Sequence, residues 1–129
     1  MRLEHIALYT RQLEVLRDFY MKYFQATSND KYINPAKGFE SYFLSFDGGA
    51  RLEIMQKQSV PDYAGELGAE YTGLTHMAMQ IGTREAVDSL TEQLRADGYR
   101  VVGEPRTTGD GYYESVVLDP DGNRIEITA

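Results

Sequence analysis

The spacing of hydrophobic positions along the chain predicts first a strand and then a helix. Residues 3–9 alternate between two faces, which is typical of a β-strand and places His5 on the same face as Ala7. Thr10 is expected to cap a helix, because apolar residues then recur at spacings of three and four. These apolar positions are Leu13, Leu16, Phe19, Tyr20, Tyr23 and Phe24.

A pair of strands is predicted to complete the first half. Residues 28–38 are polar and are expected to form a loop. Residues 41–46 and 51–55 are typical of strands, and the Asp-Gly-Gly sequence between them is a hairpin signal. Residues 56–72 show no clear period and contain proline and glycine, which indicates a linker.

The second half repeats the same order of patterns. Residues 74–81 alternate as a strand, with His76 on the face of Ala78. Thr83 is expected to cap the following helix, and Gly98 is a good terminator for it. The inner face of this helix is predicted to consist of Val87, Leu90 and Leu94.

Three further strands are predicted after this helix. Residues 100–102 are strand-like, residues 106–113 are expected to form a glycine-containing loop, and two strands follow at 115–118 and 124–128. The intervening Asp-Pro-Asp-Gly-Asn has proline at the second turn position and glycine at the fourth, a strong signal for a tight turn. The second half is therefore predicted as β-α-β-β-β. The first half, in which two strands are recognised after the helix, is expected to follow the same order because the patterns repeat, with the helix of each half on one face of its sheet.

The two halves also repeat each other in sequence, and each copy holds one His and one Glu. Leu-Glu-His-Ile-Ala-Leu at 3–8 matches Leu-Thr-His-Met-Ala-Met at 74–79, and residues 40–54 match 114–127. His5 and His76 are 71 positions apart, and Glu53 and Glu126 are 73 apart. The chain has only these two His residues. A repeat that keeps metal-ligand residue types at both ends of each copy predicts a metal site.

The pattern alone leaves simpler roles open for these four residues. A Glu between two aliphatic residues on a strand, as Glu53 and Glu126 both are, points away from the core and often only faces solvent. A single His on a strand is more often hydrogen-bonded than a ligand. Duplication can preserve all four residues without function, so the repeat is stronger evidence for shared ancestry than for a working site.

The composition narrows the classes of partner. At 129 residues and 42% hydrophobic, the chain fits one globular domain with a real core. A net charge of −7 argues against a nucleic-acid partner and against an anionic membrane surface. The chain lacks cysteine and shows neither a signal peptide nor a membrane span, so we expect a cytoplasmic protein.

The four candidate ligands favour a transition metal. Two neutral imidazoles and two carboxylates suit a divalent first-row ion, with Ni or Zn expected first and Co, Mn or Fe as alternatives. Calcium and magnesium prefer shells made only of oxygen. On an octahedral ion, four protein ligands leave two positions for water or for two substrate oxygens. Such an ion acts as a Lewis acid.

These motifs resemble the vicinal oxygen chelate superfamily, which includes glyoxalase I, bleomycin-resistance proteins and dioxygenases. The most specific matches are the run from Asp119 to Glu126 and the Leu-Thr-His sequence that ends at His76. The resemblance implies an α+β fold of two tandem βαβββ modules, with cupped mixed sheets around a metal. It covers residues 1–129 as a single glyoxalase-like domain, with modules at 1–55 and 73–129 and a linker at 56–72.

Within that superfamily the ligand set resembles glyoxalase I most, which has His, Glu, His and Glu at these four positions. The resemblance implies a metal bound by His5, Glu53, His76 and Glu126, with Glu126 as catalytic base and Glu53 as a candidate second proton carrier. It also implies a homodimer with sites at the subunit interface. The implied activity is that of a lactoylglutathione lyase, acting on a small substrate with vicinal oxygens such as a hemithioacetal of methylglyoxal and a thiol.

One departure from the glyoxalase I pattern leaves a second function open. Glyoxalase I often has an Arg four residues after the first His, where it contacts a glutathione carboxylate, whereas this chain has Tyr9. Arg11 is near but would face the other way if the strand continued. The alternative is a non-catalytic protein of the bleomycin-resistance type that binds a small drug or metabolite.

Overall fold

The protein is described by a computed structural model that covers all residues from 1 to 129. The chain divides into two compact units, Met1–Ala64 and Gly65–Ala129. Each unit contains one α-helix and one mixed sheet, as the two β-α-β-β-β patterns predict. Neither helix has the length and apolar character that crossing a membrane would require.

The first unit builds its sheet around a parallel pair of strands. In chain order its elements are β1 (His5–Tyr9), α1 (Leu13–Phe24), β2 (Thr27–Ser28), β3 (Tyr32–Asn34), a 3₁₀ turn (Pro35–Lys37), β4 (Phe39–Ser45) and β5 (Arg51–Lys57). The sheet order is β1-β5-β4-β2, and β3 also pairs with β4. The pairing of β1 with β5 is parallel, and β4 runs antiparallel to β5, β2 and β3.

Helix α1 buries its apolar stripe against one face of this sheet. All six apolar positions predicted from the helical spacing are buried, and the helix packs on β4 and β5. On β5 the alternation is complete, because Leu52 and Ile54 are buried while Arg51, Glu53 and Met55 are only partly so. Burying a Leu or Ile side chain stabilises a fold by roughly 1.5–3 kcal/mol. This face is therefore the core of the unit.

Two predictions for the first unit are wrong in detail. The helix begins at Leu13 with Gln12 as its N-cap, and Thr10 instead accepts a hydrogen bond at Oγ1 from the Gln12 N–H at 3.0 Å. The region 28–38 is not a plain loop, since it contains β3 and the 3₁₀ turn. The Asn34 side chain accepts the Lys37 N–H at 3.2 Å and so caps this turn locally, which polar composition alone did not reveal.

The second unit has the same plan with fewer elements. In chain order these are β6 (His76–Gln80), α2 (Arg84–Ala96), β7 (Val101–Thr107), β8 (Tyr113–Leu118) and β9 (Arg124–Thr128). The sheet order is β6-β9-β8-β7, with β6 and β9 parallel. β7 is longer than the predicted 100–102, and its irregular pairing with β8 near Gly103 explains why no clean alternation marks it.

Helix α2 confirms both predicted end signals. Thr83 accepts the Ala86 N–H at 3.2 Å as N-cap, and Gly98 follows the helix with φ +91°, a conformation that glycine adopts without strain. Val87 and Leu94 are fully buried as predicted, whereas Leu90 is only partly buried. The pattern missed the fully buried Thr91. Its hydroxyl lies 2.6 Å from the Val87 carbonyl oxygen and 2.7 Å from the Ser115 hydroxyl. The buried hydroxyl therefore has hydrogen-bond partners inside the protein.

The turn between β8 and β9 is tight, as predicted, and it is organised by one buried carboxylate. Asp119 Oδ1 accepts the backbone N–H groups of Asp121 at 3.0 Å and Asn123 at 2.8 Å. Its Oδ2 accepts Asn123 Nδ2 at 2.8 Å. Gly122 takes the positive φ of +84° that the turn requires, and its N–H donates to the Asp119 carbonyl. These bonds set the register in which β9 leaves the turn.

We predict that Asp119→Ala lowers the free energy of unfolding by about 3 kcal/mol, because three donors lose a buried charged acceptor. Urea unfolding followed by circular dichroism measures this change. The matched control is Asp47→Ala in the turn between β4 and β5, which should change stability by less than about 0.5 kcal/mol. Equal effects of the two substitutions would contradict this role for Asp119.

Candidate metal centre

In the first unit the parallel pairing of β1 with β5 brings a His and a Glu to the same face. Ala7 lies opposite Glu53 and His5 lies opposite Arg51, so His5 and Glu53 point to the face that α1 does not cover. The Nε2 atom of His5 is 3.9 Å from Oε2 of Glu53. The Glu53 side chain is 17% exposed, and the His5 side chain is more open.

The second unit repeats this arrangement on β6 and β9. Ala78 lies opposite Glu126 and His76 lies opposite Arg124, which is the same register as in the first unit. The Nε2 atom of His76 is 3.2 Å from Oε2 of Glu126, whose side chain is 21% exposed. The structure therefore brings the four predicted residues together as two His–Glu pairs, one on each sheet.

The two pairs have dimensions and donor atoms that fit a divalent transition metal. Imidazole nitrogen binds zinc at roughly 2.0–2.1 Å and carboxylate oxygen at roughly 2.0–2.2 Å, so one nitrogen and one oxygen on the same ion lie at most about 4.3 Å apart. Both Nε2–Oε2 distances, 3.9 Å and 3.2 Å, lie within this limit. No three His, Asp or Glu side chains of the chain gather to form a larger cluster. Each pair therefore offers two donor atoms to an ion.

The imidazole of His5 is held on its other side by residues that the sequence pattern did not single out. Its Nδ1 contacts Oε2 of Glu4, and Oε1 of Glu4 accepts Nε of Arg51 at 2.8 Å. The Phe43 ring meets the His5 ring edge-on, with centroids 5.5 Å apart. The hydrogen bond with His5, and then the interactions with Arg51, hold the pKa of Glu4 below its usual value.

A third carboxylate, Glu114 on β8, lies near the second pair. Its side chain is 12% exposed, and Arg106 Nη2 is 3.9 Å from its Oε1. Burial raises the pKa of Glu114, and the negative charge of Glu126 raises it further. Arg106 acts in the opposite direction and is outweighed.

The structure corrects the sequence match that aligned Glu114 with Glu40. Glu114 lies opposite Thr128 on β9, and the residue in the same place of the first sheet is Ser41, opposite Met55. Glu40 is one position away and instead forms an ion pair with Lys31 at 3.2 Å. A shift of one residue along a strand moves a side chain to the other face of the sheet. The Glu-Ser sequence that both copies share therefore gave no sign that Glu114 adds a carboxylate to the second sheet where the first has Ser41.

Two residues considered for binding a thiol cosubstrate have different environments. Tyr9 lies on the same face of β1 as His5 and is 45% exposed. Arg11 donates from Nε to Asp62 at 2.6 Å and from Nη1 to the Lys57 carbonyl at 3.2 Å. Arg11 is therefore held at and just beyond the end of β5. Because β1 ends at Tyr9, the direction expected for Arg11 on a continued strand does not apply.

Two units with one topology, each with a His–Glu pair on the uncovered face of a mixed sheet, define a protein built from paired βαβββ modules. A sequence profile of the Glyoxalase/Bleomycin resistance protein/Dioxygenase superfamily matches residues 2–127. The chain belongs to this superfamily, which confirms the resemblance drawn from its motifs.

Individual relatives support the same fold. The uncharacterized protein YqjT of Bacillus subtilis (strain 168) is 28% identical over 130 residues, covering 98% of both chains. A variant of glyoxalase I from Zea mays superposes with a TM-score of 0.78 at 23% identity over 98% of this chain, which spans 44% of the length of the maize protein. The trypanothione-dependent glyoxalase I of Leishmania major gives a TM-score of 0.78 at 21% identity, covering 99% of this chain and 86% of that one.

We predict that Glu114→Gln raises the melting temperature of the metal-free protein at about pH 8 and leaves it unchanged at about pH 4. A raised pKa means that the fold favours the neutral carboxyl, so the stability that it contributes is present in acid and is lost as pH rises through that pKa. The glutamine stays neutral throughout. Melting curves across this pH range measure the difference.

The control for this prediction is Glu70→Gln, which removes the same charge from an exposed position. It should not reproduce the pH-dependent gain in melting temperature. A Glu114→Gln protein that melts below the wild type at about pH 8 would mean that the ion pair with Arg106 outweighs burial.

Proposed function

We propose that this protein is a metal-dependent lyase or isomerase of the glyoxalase I type. Its substrate would be a small molecule with two vicinal oxygens, such as the hemithioacetal of methylglyoxal and a thiol. The observation that carries the proposal is the pair of equivalent His–Glu contacts, 3.9 Å and 3.2 Å long, on the uncovered sheet faces. Membership of the superfamily agrees with this function but includes other activities.

The metal would be held by His5 and Glu53 of one subunit together with His76 and Glu126 of the partner subunit. We therefore propose a homodimer in which each subunit contributes one pair to each site. Nickel or zinc is the expected ion, with cobalt, manganese or iron as alternatives, because the donors are imidazole nitrogen and carboxylate oxygen. When bound, the ion would supply Lewis-acid stabilisation of the negative charge that develops on the substrate oxygens.

Two carboxylates of the chain would then move the proton between the adjacent carbons. Glu126 would accept the proton from the carbon that bears the hydroxyl and the sulfur and would deliver it to the neighbouring carbonyl carbon. The hydroxyl proton would pass to the oxygen of that neighbouring carbon, so that the hydroxyl carbon becomes the thioester carbonyl and the product is an isomer of the hemithioacetal. Glu53 would be a metal ligand and a second proton carrier. The partial burial of both side chains limits access of water, which would otherwise exchange the proton.

The residue at position 9 bears on the thiol part of the substrate. Tyr9 occupies the position where a carboxylate-binding arginine is often found, so a thiol that is not glutathione is compatible with this chain. The Leishmania major relative is described as trypanothione-dependent, which shows that the fold accommodates a different thiol in that protein. The cytoplasmic location stays a prediction.

A non-catalytic protein that binds a small drug or metabolite is the second candidate. The exposed aromatic ring of Tyr9 on the face of His5 favours it, because such a ring supplies contact area for an apolar ligand. The superfamily includes bleomycin-resistance proteins. Ligand binding without turnover that persists after chelation would support this candidate over the enzyme.

We expect protein purified without a His tag to hold about one transition-metal ion per chain, with all four proposed ligands contributing. Metal analysis, followed by titration of chelator-stripped protein with nickel and zinc, measures content and affinity. Glu126→Ala and His76→Ala should each abolish tight binding and the turnover of hemithioacetals. The control is Glu104→Ala, which removes an exposed carboxylate from β7. Stripped protein that binds neither ion would overturn the enzyme proposal.

The proposed sharing of ligands between subunits predicts a dimer at micromolar concentration. Sedimentation velocity measures this directly, and stripped protein should be compared with metal-loaded protein. Mixing Glu53→Ala with Glu126→Ala subunits provides a sharper test. Each mixed dimer keeps one complete ligand set out of two, so it should bind about half as much metal as a wild-type dimer. If all four ligands came from a single chain, mixing would restore no metal binding.

A further inference from the structure

The two His–Glu pairs differ in what surrounds the imidazole. Glu4 immediately precedes β1 and is not part of the strand. The alternation of side chains along β1 therefore does not force the Glu4 side chain onto the other face of the sheet from His5. Its carboxylate lies between two partners. Oε2 contacts Nδ1 of His5, and Oε1 accepts Nε of Arg51 at 2.8 Å.

The Arg51 side chain that holds Glu4 is itself fixed at several points. Its Nη2 atom lies 2.5 Å from Oε1 of Glu4, and its backbone N–H donates to the Glu4 carbonyl at 2.9 Å. Its guanidinium carbon lies 4.1 Å from the centroid of the Phe43 ring. Since Phe43 also meets the His5 ring edge-on, the imidazole has a carboxylate on one side and an aromatic ring on another.

These contacts give the two ring nitrogens of His5 different roles. A neutral imidazole carries one proton, and a carboxylate is only an acceptor, so contact with Glu4 places that proton on Nδ1. The lone pair is then on Nε2, which faces Glu53 at 3.9 Å. A metal ligand needs this tautomer and this orientation, and a carboxylate on the second nitrogen also increases the basicity of the first.

The second unit has no equivalent carboxylate. Thr75 precedes His76 where Glu4 precedes His5. Arg124 occupies the register position of Arg51, opposite the His, but donates from Nη1 to the Gly68 carbonyl at 2.9 Å. The repeat therefore preserves the His and the arginine, while only the first copy links them through an acid.

We propose that Glu4, supported by Arg51, is a positioning residue that fixes the tautomer and orientation of His5 for metal binding. The inference rests on the proposed metal site and adds a residue that does not itself touch the metal. The contact with Glu4 would orient His5 before a metal binds, whereas His76 would be oriented only by Glu126 and the metal. Loss of such an outer partner of a metal-binding His weakens metal affinity by roughly 10- to 100-fold.

The first experiment compares metal affinity across a small set of variants. Glu4→Ala should weaken nickel or zinc binding by roughly 10- to 100-fold with unchanged stoichiometry. Glu4→Gln, which keeps an acceptor oxygen but not the charge, should lose less affinity. Glu70→Ala, which removes the same charge from an exposed position, should bind like the wild type. Circular dichroism and melting temperature establish that each variant is folded.

The second experiment reads the His5 tautomer in metal-free protein. Long-range ¹H–¹⁵N correlation spectra distinguish protonated from unprotonated ring nitrogens. The chain has only two His residues, so a His76→Gln variant assigns the signals of His5. At about pH 8, where a free imidazole is mostly neutral, the proton should lie mainly on Nδ1. Glu4→Ala should redistribute it toward Nε2, and Glu4→Gln should largely retain it on Nδ1.

The two readouts separate failure of this inference from failure of the proposed function. Wild-type affinity in Glu4→Ala, or His5 nitrogen shifts that do not change in this variant, would overturn the positioning role even if the metal site is real. A wild-type protein that binds no metal would instead overturn the proposed function, and with it the purpose assigned to Glu4. A 10- to 100-fold loss together with the shift change supports both.

Discussion

The parallel pairing of the first strand with the last strand of each unit is the constraint on which the site depends. It places Ala7 opposite Glu53 and Ala78 opposite Glu126, so each His lies two residues along the strand from the position facing the Glu. Because side chains alternate along a strand, a slip of one residue would turn each His away from its Glu. Both units keep the same register, and both therefore present a His–Glu pair.

Burial of the opposite face holds this register in place. In each unit the residues that flank the Glu are aliphatic and fully or nearly fully buried under the helix: Leu52, Ile54, Ile125 and Ile127. A slipped strand would expose two of these side chains and bury a carboxylate, which costs several kcal/mol unless the charge is paired. The hydrophobic core thus determines which face of each sheet carries the His and the Glu.

The duplicated plan does not produce two equal halves. In the first unit Glu4 and Arg51 order the imidazole of His5. In the second, the partly buried Glu114 lies near Glu126 instead, in the place that Ser41 takes in the first sheet. The two His–Glu pairs therefore differ in how firmly the imidazole is held and in the charged groups that lie nearby.

Periodicity in the sequence determined the two helices, the main strands and the face of each His and Glu, because side-chain direction follows directly from local geometry. It also determined the cap at Thr83 and the tight turn at Asp119, whose interactions span only a few residues. The three-dimensional fold was needed to show that Glu4 bridges His5 and Arg51. It was also needed to show that Glu114 lies near the second pair, whereas the equivalent place in the first sheet is taken by Ser41 and not by Glu40. Those outcomes depend on strand register and on contacts between distant segments, which no local pattern encodes.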